Sequence, residues 1–403
     1  MTSITTFTTC CWSLQNIKLR SSFSRCNRSP ITFRTSFCIP VNERSIRGIE
    51  SIDRSLLKNT IPARKVRKAI ASSAAGEALS DVTETPVKNK SSSDQPEVIN
   101  NVWKWRGWSV HYSECSAVTD DTKTLVLIHG FGASHQHWRN NIRELGKQYR
   151  VFSVDLLGFG FSDKPLVGTL DTTGSPVAYN FDYWAAEVID FVKEVVKADG
   201  EKVTLVGNSI GCSVSMEVAL LEPSIVDRMV IISPSLRMLN VRKRSWAQNI
   251  TAPALMRFFK YKLVGTYFFN QLSRPNVLRR ILYSAYAVKE AVDEELIEMI
   301  REPALTPGAL DVFLAFISYD EGPIPEDQLP LLKVPVMMLH GVLDSFEPFK
   351  LAEKYREYDA VKRFVPLTGV GHCGMDEAPE VVNKLIDEFV SSQEELMKLS
   401  AQS

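Results

Sequence analysis

"VTLVGNSIGCSVSMEVAL" (residues 203–220) opens as a strand and closes as a helix, and Ser209 stands where one becomes the other. A strand-to-helix turn this tight forces its central residue into a strained backbone conformation. Gly207 and Gly211 flank it because the neighbouring backbones approach too closely for side chains. The strain lifts the serine hydroxyl off the sheet edge. It also sets that hydroxyl at a helix N-terminus, where free N–H groups favour developing negative charge. G-x-S-x-G alone is a weak signal, but a strand before it and a helix after it make the pattern specific.

Further short apolar runs lie on either side of this corner. "TLVLIHG" (124–130), "YRVFSVDLLG" (149–158), "KVTLVG" (202–207), "DRMVIISP" (227–234), "VPVMMLHG" (334–341) and "KRFVPLTG" (362–369) are nearly continuous in apolar residues. Strands covered on both faces look like this, and parallel sheets bury both faces. Helical spacing between them, as in "FDYWAAEVIDFVKEVVKADG" (181–200), predicts an α/β fold with a mostly parallel, doubly wound sheet. Ahead of it, Trp103 and Trp105, then Trp108, Val110 and Tyr112, alternate around Arg106-Gly107, which predicts an antiparallel hairpin. One stretch breaks the alternation: residues 236–325 carry a mostly helical pattern, read as a helical cap inserted over the C-terminal edge of the sheet. Within it, "RFFKYKLVGTYFFNQL" packs six aromatics into residues 258–269. They suit either the cap's own core or an apolar face for a large ligand or a membrane surface, and Lys260 and Lys262 are compatible with the latter.

Composition bounds the rest. The 403 residues are 44% hydrophobic and 23% charged, ordinary for a globular protein, and the formal net charge is zero. Nothing in that balance points to nucleic acid. Residues 1–75 nonetheless hold 13 Lys and Arg against 3 Asp and Glu, and the first acid is Glu43. This Ser- and Thr-rich, acid-poor front reads as a plastid transit peptide over 1–72. A flexible linker over 73–100, a folded domain over 101–393 and a tail over 394–403 complete the expected organisation. Cys115, Cys212 and Cys373 are widely spaced, so neither a disulfide framework nor a metal site is expected, and Cys373 reads as a packing residue. No run of 18 uncharged apolar residues predicts a membrane span.

A serine hydroxyl attacks only when a base takes its proton. His372, in "LTGVGHCGMDEAPE" after the last predicted strand, is the candidate base; His111, His135 and His137 read as packed or surface residues. Asp344 in "LHGVLDSFEP" is the candidate for orienting the imidazole, with Glu347 its local rival. The chain order Ser209, Asp344, His372 suits this topology. An acyl-transfer site also needs oxyanion donors. The loop "IHGFGASHQHWR" points to the backbone N–H of Phe131, with that of Ile210 as its partner.

Taken together, "HGFGASHQHWR", "DLLGFGFSDKP", "GNSIG", "GVLDSFEP" and "GHCGMDEAP" resemble the α/β-hydrolase branch that includes haloalkane dehalogenases and ring-cleavage hydrolases. They are most similar to its plant chloroplast pheophytinase and chlorophyll dephytylase group. The resemblance implies an α/β-hydrolase fold, Ser209 as nucleophile, a chloroplast location and a phytyl ester of a chlorophyll-type pigment as substrate. Dehalogenases and epoxide hydrolases carry a carboxylate at the elbow; a serine there predicts attack on a carbonyl instead. Hydrolysis of a lipophilic ester without metal or organic cofactor is the leading expectation. A cofactor-free C–C bond hydrolase could use the same triad. A non-enzymatic ligand receptor or scaffold is the third possibility.

Overall fold

The computed structural model describes residues 95–117, 122–197, 200–234, 240, 242, 261–319 and 321–392. The expected transit peptide, most of the linker and the C-terminal tail lie outside the described residues. Strands β1 (Val98–Trp105) and β2 (Trp108–Cys115) pair antiparallel from Val98 opposite Cys115 to Trp105 opposite Trp108. Arg106 and Gly107, the two residues between, take φ of 46° and 91°, the left-handed pair that a two-residue hairpin requires. The expected linker therefore ends sooner than its composition suggested. Polar Asn100 and Asn101 belong to β1, where Ser113 Oγ donates to Asn100 Oδ1 (2.6 Å) and Asn101 Nδ2 donates to Glu114 Oε1 (2.9 Å).

All six apolar runs are strands: β3 (Thr124–Ile128), β4 (Arg150–Val154), β5 (Val203–Asn208), β6 (Val226–Ile232), β7 (Val336–Gly341) and β8 (Val361–Leu367). The eight form one sheet in the order β1-β2-β4-β3-β5-β6-β7-β8. β2 meets β4 antiparallel, and every pair from β4 to β8 is parallel. Strand order reverses at β3, with β4 on one side and β5 on the other. Loops leaving the C-terminal ends of β3 and β5 thus diverge, which opens a crevice at the point where such sheets bind ligands.

Helices α1 (Phe181–Phe191) and α2 (Ile210–Leu221) follow β4 and β5; α3 (Lys262–Leu272), α4 (Pro275–Ala285), α5 (Glu294–Ala304) and α6 (Ala309–Ile317) lie between β6 and β7; α7 (Pro379–Ser391) follows β8. The Asn180 side chain starts α1 by accepting from the Tyr183 N–H, and Phe181, Trp184, Ala185 and Val188 then recur on its buried stripe. The period-2 geometry of the strands builds two cores. Val126 and Ile128, Met229 and Ile231, and Val336 and Met338 pack with α1 and α2. Leu125 and Leu127, Val230 and Ile232, and Met337 and Leu339 pack with Val382, Ile386 and Phe389 of α7.

Helices α3 to α6 occupy the region expected to form the cap. Their aromatics divide between two environments. Phe269 of α3 packs on Phe313 of α6 with ring centroids 5.3 Å apart, whereas Tyr261, Leu263 and Tyr267 are 64%, 87% and 64% exposed. Phe258, Phe259, Lys260 and the side chain of Lys262 lie outside the described residues. Among the described residues no helix is long and apolar enough to cross a membrane.

Candidate active site

Ser209 occupies the corner between β5 and α2 with φ 54° and ψ −116°, a left-handed conformation that side chains rarely adopt. Its N–H donates to the Ile232 carbonyl (3.1 Å), and its own carbonyl accepts from the Cys212 N–H (3.1 Å), so the strained residue is held from both sides. A Cβ on Gly207 would stand 2.5 Å from the Gly211 carbonyl, and one on Gly211 would run into the Ile128 carbonyl. Both small residues are therefore steric requirements of the turn.

The loop after β3 passes directly beside this corner: a Cβ on Gly130 would lie 3.2 Å from Cβ of Ser209. Phe131, next along, stacks on Phe316 of α6 (centroids 4.4 Å apart, planes at 14°) and meets Phe159 edge-on at 5.7 Å. The ring is fixed, so the backbone that carries the candidate oxyanion N–H is fixed with it. His129 supports the same loop. Its Nε2 accepts from the Leu156 N–H (3.1 Å) while Nδ1 donates to the Gly130 carbonyl (2.7 Å), and burial lowers its pKa, keeping the ring neutral. Asp155 accepts from Nδ1 of His135 (2.9 Å) and from the Phe161 N–H (2.8 Å), which ties the two glycine-rich loops together.

Asp344 and His372 meet on the loops after β7 and β8. His372 Nδ1 donates to Asp344 Oδ2 at 2.8 Å, and both side chains are buried. The other carboxylate oxygen, Oδ1, accepts the N–H groups of Phe346 (2.8 Å) and Glu347 (3.1 Å). Burial alone would raise the pKa of this carboxyl. The charge and hydrogen bond of His372, with His340 and the Phe346 N–H behind them, outweigh it and hold Asp344 below the usual carboxylate range. Glu347, the rival acid, lends a backbone N–H to Asp344 and turns its own carboxylate toward Tyr355 Oη (3.4 Å). Of the two acids, Asp344 is the one that reaches the imidazole.

With Nδ1 engaged, Nε2 is the ring nitrogen left to exchange a proton. One residue absent from the sequence-based set joins the two halves of the site. Asn208 Nδ2 donates to the carbonyls of Ile232 (3.1 Å) and His372 (3.2 Å), so the residue before Ser209 holds the backbone of the histidine. The signal available in the sequence was its position inside the turn. Its partners, both backbone carbonyls, leave no mark on composition. His135 and His137 are packed as expected, on Asp155 and Tyr286. Among the described residues no group of three or more His, Cys, Asp or Glu side chains is placed to hold a metal ion. Cys115, Cys212 and Cys373 are free and buried.

The fold that carries the Ser209 turn and the His372–Asp344 pair is one that known proteins share. The profile of the Alpha/beta hydrolase family matches residues 125–385. The chain belongs to that family. This α/β hydrolase is 23% identical over 319 residues to pheophytinase, chloroplastic, of Arabidopsis thaliana, covering 71% of this chain and 64% of that one. It is 24% identical over 286 residues to 2-hydroxy-6-oxo-6-(2'-aminophenyl)hexa-2,4-dienoic acid hydrolase of Metapseudomonas resinovorans, covering 69% of this chain and 87% of that one. A solved serine hydrolase involved in carbazole degradation superposes with a TM-score of 0.57 at 21% identity, over 73% of this chain and 99% of that one. That last likeness establishes the fold, and the relatives together support a hydrolase activity.

Proposed function

We propose that this α/β hydrolase is a serine hydrolase of the chloroplast that cleaves a carboxylic ester of a lipophilic substrate, with a phytyl ester of chlorophyll or pheophytin as the leading substrate. The single observation that carries the reaction class is Ser209 in its left-handed turn, tied through neighbouring Asn208 to the backbone of a histidine whose Nδ1 is already committed to a buried carboxylate. In this scheme Ser209 Oγ bonds to the carbonyl carbon as its proton passes to His372 Nε2. Asp344 stabilises the imidazolium, and the N–H groups of Phe131 and Ile210 receive the oxyanion. Collapse breaks the ester C–O bond, and the alcohol leaves with the proton from His372. Water, deprotonated by the same nitrogen, then releases the acid from the acyl-serine. No metal or organic cofactor takes part.

Support for the substrate is of two kinds. The aromatic group of Phe131, Phe159, Phe313 and Phe316 lies where the oxyanion loop meets α6, an apolar boundary suited to a long hydrocarbon. The distant chloroplastic pheophytinase and the acid-poor N-terminal segment point to the same organelle. Exposed Tyr261, just before α3, and Leu263 and Tyr267 on it would let the cap rest on a membrane surface holding such a substrate. The similarity to a hexadienoic acid hydrolase favours cleavage of a C–C bond next to a ketone as the second reading.

The test incubates the purified chain and its Ser209→Ala variant with chlorophyll a, pheophytin a, a p-nitrophenyl ester and a 2-hydroxy-6-oxo dienoic acid, resolving products by HPLC. Release of chlorophyllide or pheophorbide by the parent alone is expected. Turnover of the p-nitrophenyl ester only would retain the esterase and reject the pigment; turnover of the dienoic acid only would favour the second reading. Biological function left intact in Ser209→Ala would favour a receptor or scaffold.

A further inference from the structure

Five residues beyond His372, the short helical turn Gly374–Glu377 ends on a side chain that folds back over the histidine loop. The Glu377 carboxylate accepts the N–H of Gly371 (3.1 and 3.0 Å to its two oxygens) and the N–H of Cys373 (3.1 Å), the two residues that flank His372. It also accepts the N–H groups of Ala287 (2.7 Å) and Val288 (2.9 Å), where the chain leaves cap helix α4. Two ionised oxygens offer about four acceptor sites, and four backbone donors fill them. A direct bond runs parallel to this one, since the His372 N–H donates to the Ala285 carbonyl (2.9 Å). Gly371 suits the arrangement, because a Cβ there would stand 2.9 Å from Glu377 Oε1.

We infer that Glu377 is a positioning residue for the reaction. It fixes the backbone on both sides of His372 and fastens that backbone to the root of the cap, so that Nε2 is presented to Ser209 at the angle Asp344 sets. The carboxylate itself touches backbone groups, not the reacting atoms. This inference rests on the Ser209–His372–Asp344 assignment proposed above. A misplacement of the base by about 1 Å is enough to cost on the order of 100-fold in rate. A clamp that held only the fold would leave the chemistry of the folded molecules untouched.

The full-length protein is compared with Glu377→Gln, whose amide has one acceptor oxygen and turns an NH2 toward donors, and with Glu377→Asp, which keeps the charge but falls one methylene short. Each is followed by kcat and KM on a p-nitrophenyl ester, by the rate constant for fluorophosphonate labelling of Ser209, and by the low-field proton signal of His372 Nδ1–H. A kcat lowered about 10–100-fold with KM within about twofold is expected, with labelling slowed in parallel and the low-field signal shifted or lost. Labelling at the parental rate constant to a lower end-point would assign the loss to unfolding and overturn the inference. Should the Gln variant fail to fold, the Asp variant decides, and a parental kcat in it overturns the inference as well. A parent chain that fluorophosphonate does not label at all would instead sink the assignment of Ser209.

Discussion

At the scale of single residues, the role proposed for Asp344 rests on its charge, and that proposed for Ser209 on the turn that presents its hydroxyl. Asp344 Oδ1 is satisfied by two N–H groups and Oδ2 by His372, so Asp344→Asn retains the shape but turns one bond into a mismatch. The amide can present a donor to Nδ1 and trap the wrong imidazole tautomer, and it cannot stabilise the imidazolium. We expect kcat to drop on the order of 10⁴-fold with Tm nearly unchanged, measured by ester turnover and thermal denaturation. A loss below tenfold would mean that His372 does not depend on this carboxylate. The sequence offered Asp344 and Glu347 as alternatives because spacing alone cannot say which acid the loop turns inward. Asn208 and Glu377 escaped notice for a related reason: both act on backbone carbonyls and N–H groups, which carry no residue-type signature.

At the scale of elements, the β5–α2 corner depends on close approach between backbones. Alanine normally favours a helix over glycine by about 1 kcal/mol. At Gly211 the sign should reverse, because its Cβ would press into the carbonyls of Ile128 and His129 on β3 and its loop. We expect Gly211→Ala to destabilise by roughly 1–3 kcal/mol, seen as a Tm lower by several degrees and a slower Ser209 labelling rate. An unchanged or higher Tm would show that the corner has room to relax. The same corner accounts for what was legible in the sequence. Strands buried on both faces must be nearly continuous in apolar residues, so β3 to β7 announced themselves, and the edge strand β8, half-exposed with Lys362 and Arg363, did so less cleanly. Their lateral order was invisible, because β3 between β4 and β5 is a fact of pairing and not of composition. At the edge of the sheet the rule weakens. Asn100 in half-exposed β1 resembled the polar linker before it.

At the scale of the whole molecule, the root of the cap is joined to the sheet domain by a buried polar chain. His137 Nε2 donates to Tyr286 Oη (2.7 Å), and Tyr286 Oη donates to Asp376 Oδ2 (3.0 Å). Asp376 also accepts from Arg139 Nε (3.1 Å), whose guanidinium reaches Asp293 at the start of α5 (2.9 Å). Burial, the largest influence, pushes the His137 pKa down to about 4, with Asp376 opposing it and Arg139 adding to it. The folded state therefore binds fewer protons than the unfolded one between about pH 6.5 and 4, so stability must fall as pH falls through that window. The share from His137 amounts to about 3 kcal/mol once both limits are passed. His129 and His340, also lowered by burial, contribute with the same sign. His137→Gln retains a donor for Tyr286 and cannot charge. We expect its Tm to fall less steeply than that of the parent from pH 6.5 to pH 4, while the two converge in steepness above pH 7. Parallel curves through the acid window would mean that burial does not lower the His137 pKa in the fold.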